Sequence, residues 1–125
     1  MPGERVLVVD DNAQNLKLAK LVLDSLGYDA ATASDAEDAQ RMLDGFDPRL
    51  ILMDLQLPAM DGLELTRRLK ADSARRHIVI VALTAYAMKG DRERAHAAGC
   101  DGYIPKPIDA DLLARTLKEL LARSR

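Results

Sequence analysis

The chain has a single cysteine, Cys100, and so can close no internal disulfide. It also lacks a dominant charge. Eighteen Lys and Arg stand against twenty Asp and Glu, a formal net charge of -2, so no basic field exists to attract nucleic acid. Every apolar stretch is broken within about seven residues, far short of the roughly eighteen that a membrane-spanning helix requires. The opening Met1-Pro2-Gly3-Glu4 has neither the basic nor the long apolar region of a signal peptide. Internal repeats, low-complexity tracts and Gly/Ser/Pro-rich linkers are missing as well. These absences predict a soluble, cytoplasmic protein that binds neither nucleic acid nor membrane. They also predict one domain over 1–125, with no output domain attached. What is present agrees: 125 residues, 48% hydrophobic and 30% charged, suit a single domain with its own core.

Short solid apolar runs alternate with helical patterns. Val6-Leu7-Val8-Val9, Leu50-Ile51-Leu52-Met53 and Ile78-Val79-Ile80-Val81-Ala82-Leu83 suit strands buried on both faces. Asp29 to Ala33 and Gly102 to Pro105 are weaker, and Pro105 limits further pairing, so both are expected at sheet edges. Leu112, Leu113, Thr116, Leu117, Leu120 and Leu121 form a one-sided helical stripe. Gly27, Gly45 and Gly99 stand where left-handed residues would end helices. Ser34 with Glu37 reads as a capping box opening the second helix, and Asp109 as the cap of the last. Five strands, each followed by a helix, with right-handed crossovers, predict a doubly wound α/β domain with a five-stranded parallel sheet.

In open parallel sheets ligands bind beyond the carboxyl ends of the strands. Asp10 and Asp11 follow the first strand, Asp54 closes the third, Thr84 the fourth, and Lys106 follows the fifth. Three carboxylates crowded together repel one another, and a hard divalent cation relieves the repulsion. An all-oxygen set with few protein ligands favours magnesium over calcium and over metals that want Cys or His. Asp54 is then the candidate nucleophile toward phosphorus, with Lys106 and the Thr84 hydroxyl facing phosphoryl oxygens.

Each of these residues also has a plainer reading. An Asp-Asp pair after a strand often only caps a helix, as Asp11 or Asn12 could do here. Thr84 could satisfy a strand end, Tyr103 could be a packed edge aromatic, and Lys106 could be a surface lysine before a turn proline. His77 and His96 lack metal-ligand spacing and read as solvated, Cys100 as a buried filler, and the arginines at 67–68, 75–76 and 115–125 as solvated cations.

The motifs Val-Val-Asp10-Asp11-Asn12, Leu-Met-Asp54-Leu-Gln-Leu-Pro58-Ala-Met-Asp61-Gly62, Leu-Thr84-Ala85 and Tyr103-Ile-Pro-Lys106-Pro107 resemble the receiver domain of bacterial two-component response regulators, the CheY-like family. The resemblance covers the whole chain. The stretch from Thr84 through Met88-Lys89-Gly90-Asp91 to Gly99-Cys100 is most similar to single-domain cell-cycle regulators and to receivers of hybrid histidine kinases. The resemblance implies a flavodoxin-like strand order 2-1-3-4-5. It implies Mg2+ held by Asp10, Asp11, Asp54 and the backbone carbonyl of Gln56, and phosphorylation of Asp54 from a phosphohistidine. It further implies phosphoryl contacts from Thr84, the Ala85 backbone and Lys106, and a Thr84/Tyr103 switch that remodels the face made by the fourth helix, fifth strand and fifth helix. The Lys106-Pro107 bond is expected to be cis, and Gln56 and Tyr86 are expected to set the acyl-phosphate lifetime.

The partners implied are a sensor histidine kinase or histidine phosphotransferase and a downstream protein, with the chain a monomer or weak dimer. Donor choice would lie around the first helix, in residues such as Asn15, Leu18 and Val22. Such a chain is a phosphoacceptor that catalyses its own phosphotransfer and dephosphorylation, not an enzyme acting on other substrates. Two other functions fit less well. A haloacid-dehalogenase-type phosphatase wants an acid where Gln56 stands, and a flavodoxin-like anion site is opposed by the carboxylates of Asp10 and Asp11. A phosphorylation-independent scaffold using the same fold is the remaining alternative.

Overall fold

A computed structural model describes residues 3–55, 62–84 and 90–123. The elements run Arg5–Val9 (β1), Ala13–Ser25 (α1), Asp29–Ala33 (β2), Ala36–Phe46 (α2), Leu50–Asp54 (β3), Gly62–Ala71 (α3), Val79–Thr84 (β4), Asp91–Ala98 (α4), Gly102–Pro105 (β5) and Ala110–Arg123 (α5). All strand pairs are parallel, and the sheet order is β2-β1-β3-β4-β5. The two weak strands are the edges, as their composition predicts.

The central strands are buried on both faces because side chains alternate across a strand. Leu7, Val9, Ile51, Met53, Ile80 and Ala82 point to one side and pack with Ala39, Leu43, Leu65, Leu69 and Ala95 from α2, α3 and α4. Val6, Val8, Leu50, Leu52, Val81 and Leu83 point to the other and meet Ala19, Leu23, Leu113, Leu117 and Leu121 from α1 and α5. Each fully buried Leu or Ile contributes about 1.5–3 kcal/mol relative to exposure. The doubly wound layering thus follows from apolar runs that have no polar face to turn outward.

Helix ends agree with the sequence reading in part. Asn12, rather than Asp11, caps α1, its side chain accepting from the Gln14 and Asn15 amides. Asp109 caps α5, accepting from the amides of Asp111 at 2.9 Å and Leu112 at 3.2 Å.

Two expectations are corrected. The cap of α2 is Asp35, whose Oδ1 accepts from the Asp38 amide at 2.8 Å, whereas the Ser34 hydroxyl lies against the Asp38 carboxylate. Burial of Ala36, Ala39 and Leu43 fixes the phase of α2, and this leaves Glu37 one position early for a capping box and paired with Arg41 instead. Gly45 lies inside α2, and Asp47 takes the left-handed turn at φ 50°. The helix continues past Gly45 because Phe46 packs on the core. It ends at Asp47, where Pro48 disfavours a right-handed helical backbone and Asp tolerates the left-handed one. Gly27 and Gly99 do adopt positive φ.

Candidate functional site at the carboxyl edge of the sheet

Parallel strands bring all their carboxyl ends to one edge, and backbone hydrogen bonds fix the residues that follow. The Asp10 amide donates to Ala33 O, the Leu55 amide to Leu83 O, and the Lys106 amide to Thr84 O at 2.7 Å. Asp10 is therefore anchored beside β2, Asp54 beside β4, and Lys106 against the end of β4.

Asp10 and Asp54 are buried and Asp11 is exposed, and each places a carboxylate oxygen within 4.8 Å of the others. Lys106 Nζ lies 2.7 Å from Asp10 Oδ2 and 3.4 Å from Asp54 Oδ2, with its side chain 13% exposed. Burial by itself would lower the proton affinity of this ammonium. The Asp10 hydrogen bond and the charges of Asp54 and Asp10 outweigh burial and hold Lys106 above the ordinary lysine range. Oδ1 of Asp10 accepts from the Asn12 amide at 2.9 Å.

Other residues complete the edge. Thr84 is buried at the end of β4. Tyr103 on β5 is half-buried, and the Arg92 guanidinium carbon stands 5.3 Å from its ring centre. Arg92, Ala95, His96, Cys100, Asp101, Gly102 and Tyr103 line a cleft of about 330 Å³ between α4 and β5. The Lys106-Pro107 bond is cis. Gln56, Ala85 and Tyr86, together with Pro58 and Asp61 of the sequence motif, lie outside the described residues. His77 and His96 are exposed, and the buried Cys100 thiol is packed on the core and lies 3.9 Å from the Thr66 hydroxyl.

Two features escape sequence reasoning, and a third is legible only in part. A Cβ on Gly62 would sit 2.3 Å from the Asp54 carbonyl oxygen, so α3 can start this close to the end of β3 because residue 62 has no side chain. Asn15 turns toward the site, with Nδ2 3.4 Å from Asp10 Oδ2. On α1, Leu18 is 42% exposed and Leu21 68% exposed, while Val22 packs on the core. Leu18 is exposed, as a place in donor choice requires, and the exposed Leu21 beside it is the residue that the helical repeat could have added. The approach at Gly62 leaves no local signal.

The donor set suits a hard cation: all oxygen, two of three carboxylates buried, and one ammonium among them. Soft-ligand metals find no Cys or His in the cluster.

The comparisons with known proteins agree with this geometry. Residues 6–118 match the family model of the response regulator receiver domain. The chain is 42% identical over 116 residues to the polar-differentiation response regulator DivK of Brucella ovis, covering 93% of this chain and 94% of that protein. Among solved structures, a CheY-like response regulator receiver domain from Methanospirillum hungatei superposes with a TM-score of 0.89 at 30% identity, over 98% of this chain and 96% of that one. The receiver domain of a sensor histidine kinase from Pseudomonas aeruginosa, solved with magnesium coordinated in its active-site cleft, gives 0.87 at 37% identity, over 96% and 98% of the chains. The chain belongs to the response regulator receiver family. It is a DivK-like receiver domain of two-component signalling with the CheY-like fold.

Proposed function

We propose that Asp54 accepts a phosphoryl group from a phosphohistidine of a sensor histidine kinase or histidine phosphotransferase. The observation that carries this is the meeting of Asp10, Asp11 and Asp54 within 4.8 Å, with Lys106 between the two buried acids. An oxygen of Asp54 attacks phosphorus, the P–N bond to the imidazole breaks, and the histidine leaves with that electron pair and takes up a proton. The product is an acyl phosphate, and in-line transfer of this kind depends mainly on positioning and charge neutralisation.

Lys106 is a mobile point charge close enough to Asp54 to follow a phosphoryl oxygen. Thr84, at the end of the neighbouring strand, supplies a hydroxyl to a second oxygen, and the Ala85 backbone supplies an amide. Asp10, Asp11, Asp54 and the Gln56 carbonyl are the residues that would hold Mg2+. When bound, Mg2+ neutralises the crowded carboxylates and the incoming phosphoryl charge. Water later cleaves the acyl phosphate, with Gln56 and Tyr86 setting the rate. The chain in this reading is a cytoplasmic phosphoacceptor that acts on itself, and among the described residues no helix is long and apolar enough to cross a membrane.

The output step couples Thr84 to Tyr103. Movement of the Thr84 hydroxyl toward the phosphoryl group vacates space for the Tyr103 ring, which leaves its place beneath Arg92 and changes the α4-β5-α5 face presented to a downstream protein. Incubation with acetyl phosphate, with and without magnesium, tests the first step by intact mass. One added phosphoryl group on wild type with magnesium, and none on Asp54→Asn, is expected. Wild type that gains no mass under any condition would sink the reading in favour of a phosphorylation-independent scaffold.

A further inference from the structure

Asp10 is fully shielded from solvent, so both its carboxylate oxygens depend on donors from the protein. Oδ1 has the Asn12 amide at 2.9 Å. Oδ2 has Lys106 Nζ at 2.7 Å and, farther off, Asn15 Nδ2 at 3.4 Å. The Asn15 contact is the longer of the two on this oxygen. Asn15 is the third residue of α1, and a helical side chain leans back over the turn before its own Cα, toward the segment that leaves β1. The Asn12 side chain closes that turn by accepting from the Gln14 and Asn15 amides. One short segment, residues 10–15, thus supplies both the buried carboxylate and two of its donors.

Lys106 is shared. It lies 3.4 Å from Asp54 Oδ2, and in the phosphoryl-transfer reading it must follow a phosphoryl oxygen. Each displacement toward Asp54 loosens its hold on Asp10 Oδ2. Asn15 is the group placed to keep a donor there. Its amide is neutral, so it orients the carboxylate without adding a second positive charge that would oppose a divalent cation. A lysine at this position would satisfy Asp10 and repel the metal, and a leucine would offer no donor at all.

We infer that Asn15 is a positioning residue of the site: it holds the Asp10 carboxylate in the orientation in which an oxygen faces Asp11 and Asp54. This rests on the reading of the site given above and assigns Asn15 a role distinct from donor recognition. Calorimetric titration of the unphosphorylated chain with MgCl2 tests it, in wild type, Asn15→Ala, Asn15→Leu and the exposed neighbour Gln14→Ala, with melting curves to establish that each is folded. Both Asn15 variants should bind magnesium about tenfold more weakly, as removal of an outer-shell partner does elsewhere, and Gln14→Ala should bind as wild type does. In an Asp10→Asn background, Asn15→Ala should produce no further weakening. Wild-type affinity in Asn15→Ala, or an undiminished loss in the Asp10→Asn background, overturns the inference while leaving the site reading intact. Wild type that takes up no magnesium overturns the site reading, and the role of Asn15 with it.

Discussion

A lysine and an aspartate meet at each end of this sheet, and the two pairs do opposite things. At the amino end, Lys70 Nζ donates to Asp101 Oδ2 at 2.9 Å, to Ile78 O at 2.7 Å and to Arg76 O at 3.2 Å, and the same Asp101 oxygen accepts from the Ile80 amide at 2.9 Å. One ammonium matches one carboxylate and two carbonyls. The result ties α3 to the entrances of β4 and β5. At the carboxyl end, one ammonium stands among three carboxylates, two of them buried. Charge is balanced in the first case and negative in the second. A balanced cluster is a clamp, whereas an unbalanced one is stable only in proportion to the cation it can recruit.

Exchanging the roles of the two lysines should separate the ends most clearly. Lys106→Ala is expected to reduce phosphoryl uptake from acetyl phosphate by at least about a hundredfold, as loss of a charge on the transferring group does, in a protein that still melts cooperatively. Lys70→Ala should do the reverse. Because this pair is partly exposed, with side chains 22% and 40% accessible, the loss is expected to be about 1–2 kcal/mol in urea unfolding, with phosphorylation unchanged. Equal effects of both variants on uptake would dissolve the distinction.

A second variant joins the two functions at one atom. Gly62→Ala forces a Cβ onto the Asp54 carbonyl oxygen, so the carboxyl end of β3 must move. We expect a stability loss of about 1–3 kcal/mol together with slowed phosphorylation, read by unfolding and by mass on the same sample. Retained wild-type values in both would mean that α3 can shift freely and that the close approach does not hold Asp54 in place.

The smallest effect lies with Cys100. Burial pushes its thiol above the ordinary thiol range, outweighing the opposing hydrogen bond with Thr66, while the nearby charges of Asp101 and Lys70 act in opposite directions and matter less. The folded state therefore keeps its proton after the unfolded chain begins to lose it. The stability this contributes is complete below the pH at which an unfolded thiol ionises, and is lost as pH rises from there through the folded value. Melting temperatures of Cys100→Ala should fall less steeply above that pH than those of wild type, and iodoacetamide at pH 8 should alkylate native protein far more slowly than protein in urea. Parallel melting profiles would show that Cys100 does not titrate differently on folding.

Much of this was legible from residues alone, for definite reasons. A strand buried on both faces has to be apolar throughout, so β1, β3 and β4 announce themselves as runs, and a parallel sheet has to collect its functional groups at one edge. Local pattern failed where packing chose between neighbours. Ser34 and Asp35 are both fit to cap a helix, and the burial of Ala36, Ala39 and Leu43 selected Asp35. Gly45 could have ended α2, but Phe46 found a place on the core. Asn15 reads as a surface residue until the lean of its side chain is set against the buried Asp10.

By itself the sequence determined the order of strands and helices, the family and the types of group at the carboxyl edge, because these depend on periodicity, burial and the chemistry of each side chain. Tertiary structure decided which oxygen Lys106 holds, why residue 62 has no side chain, and which way Asn15 faces. Those are distances between segments remote in the chain or across a helix turn, and such distances come into being when the layers pack.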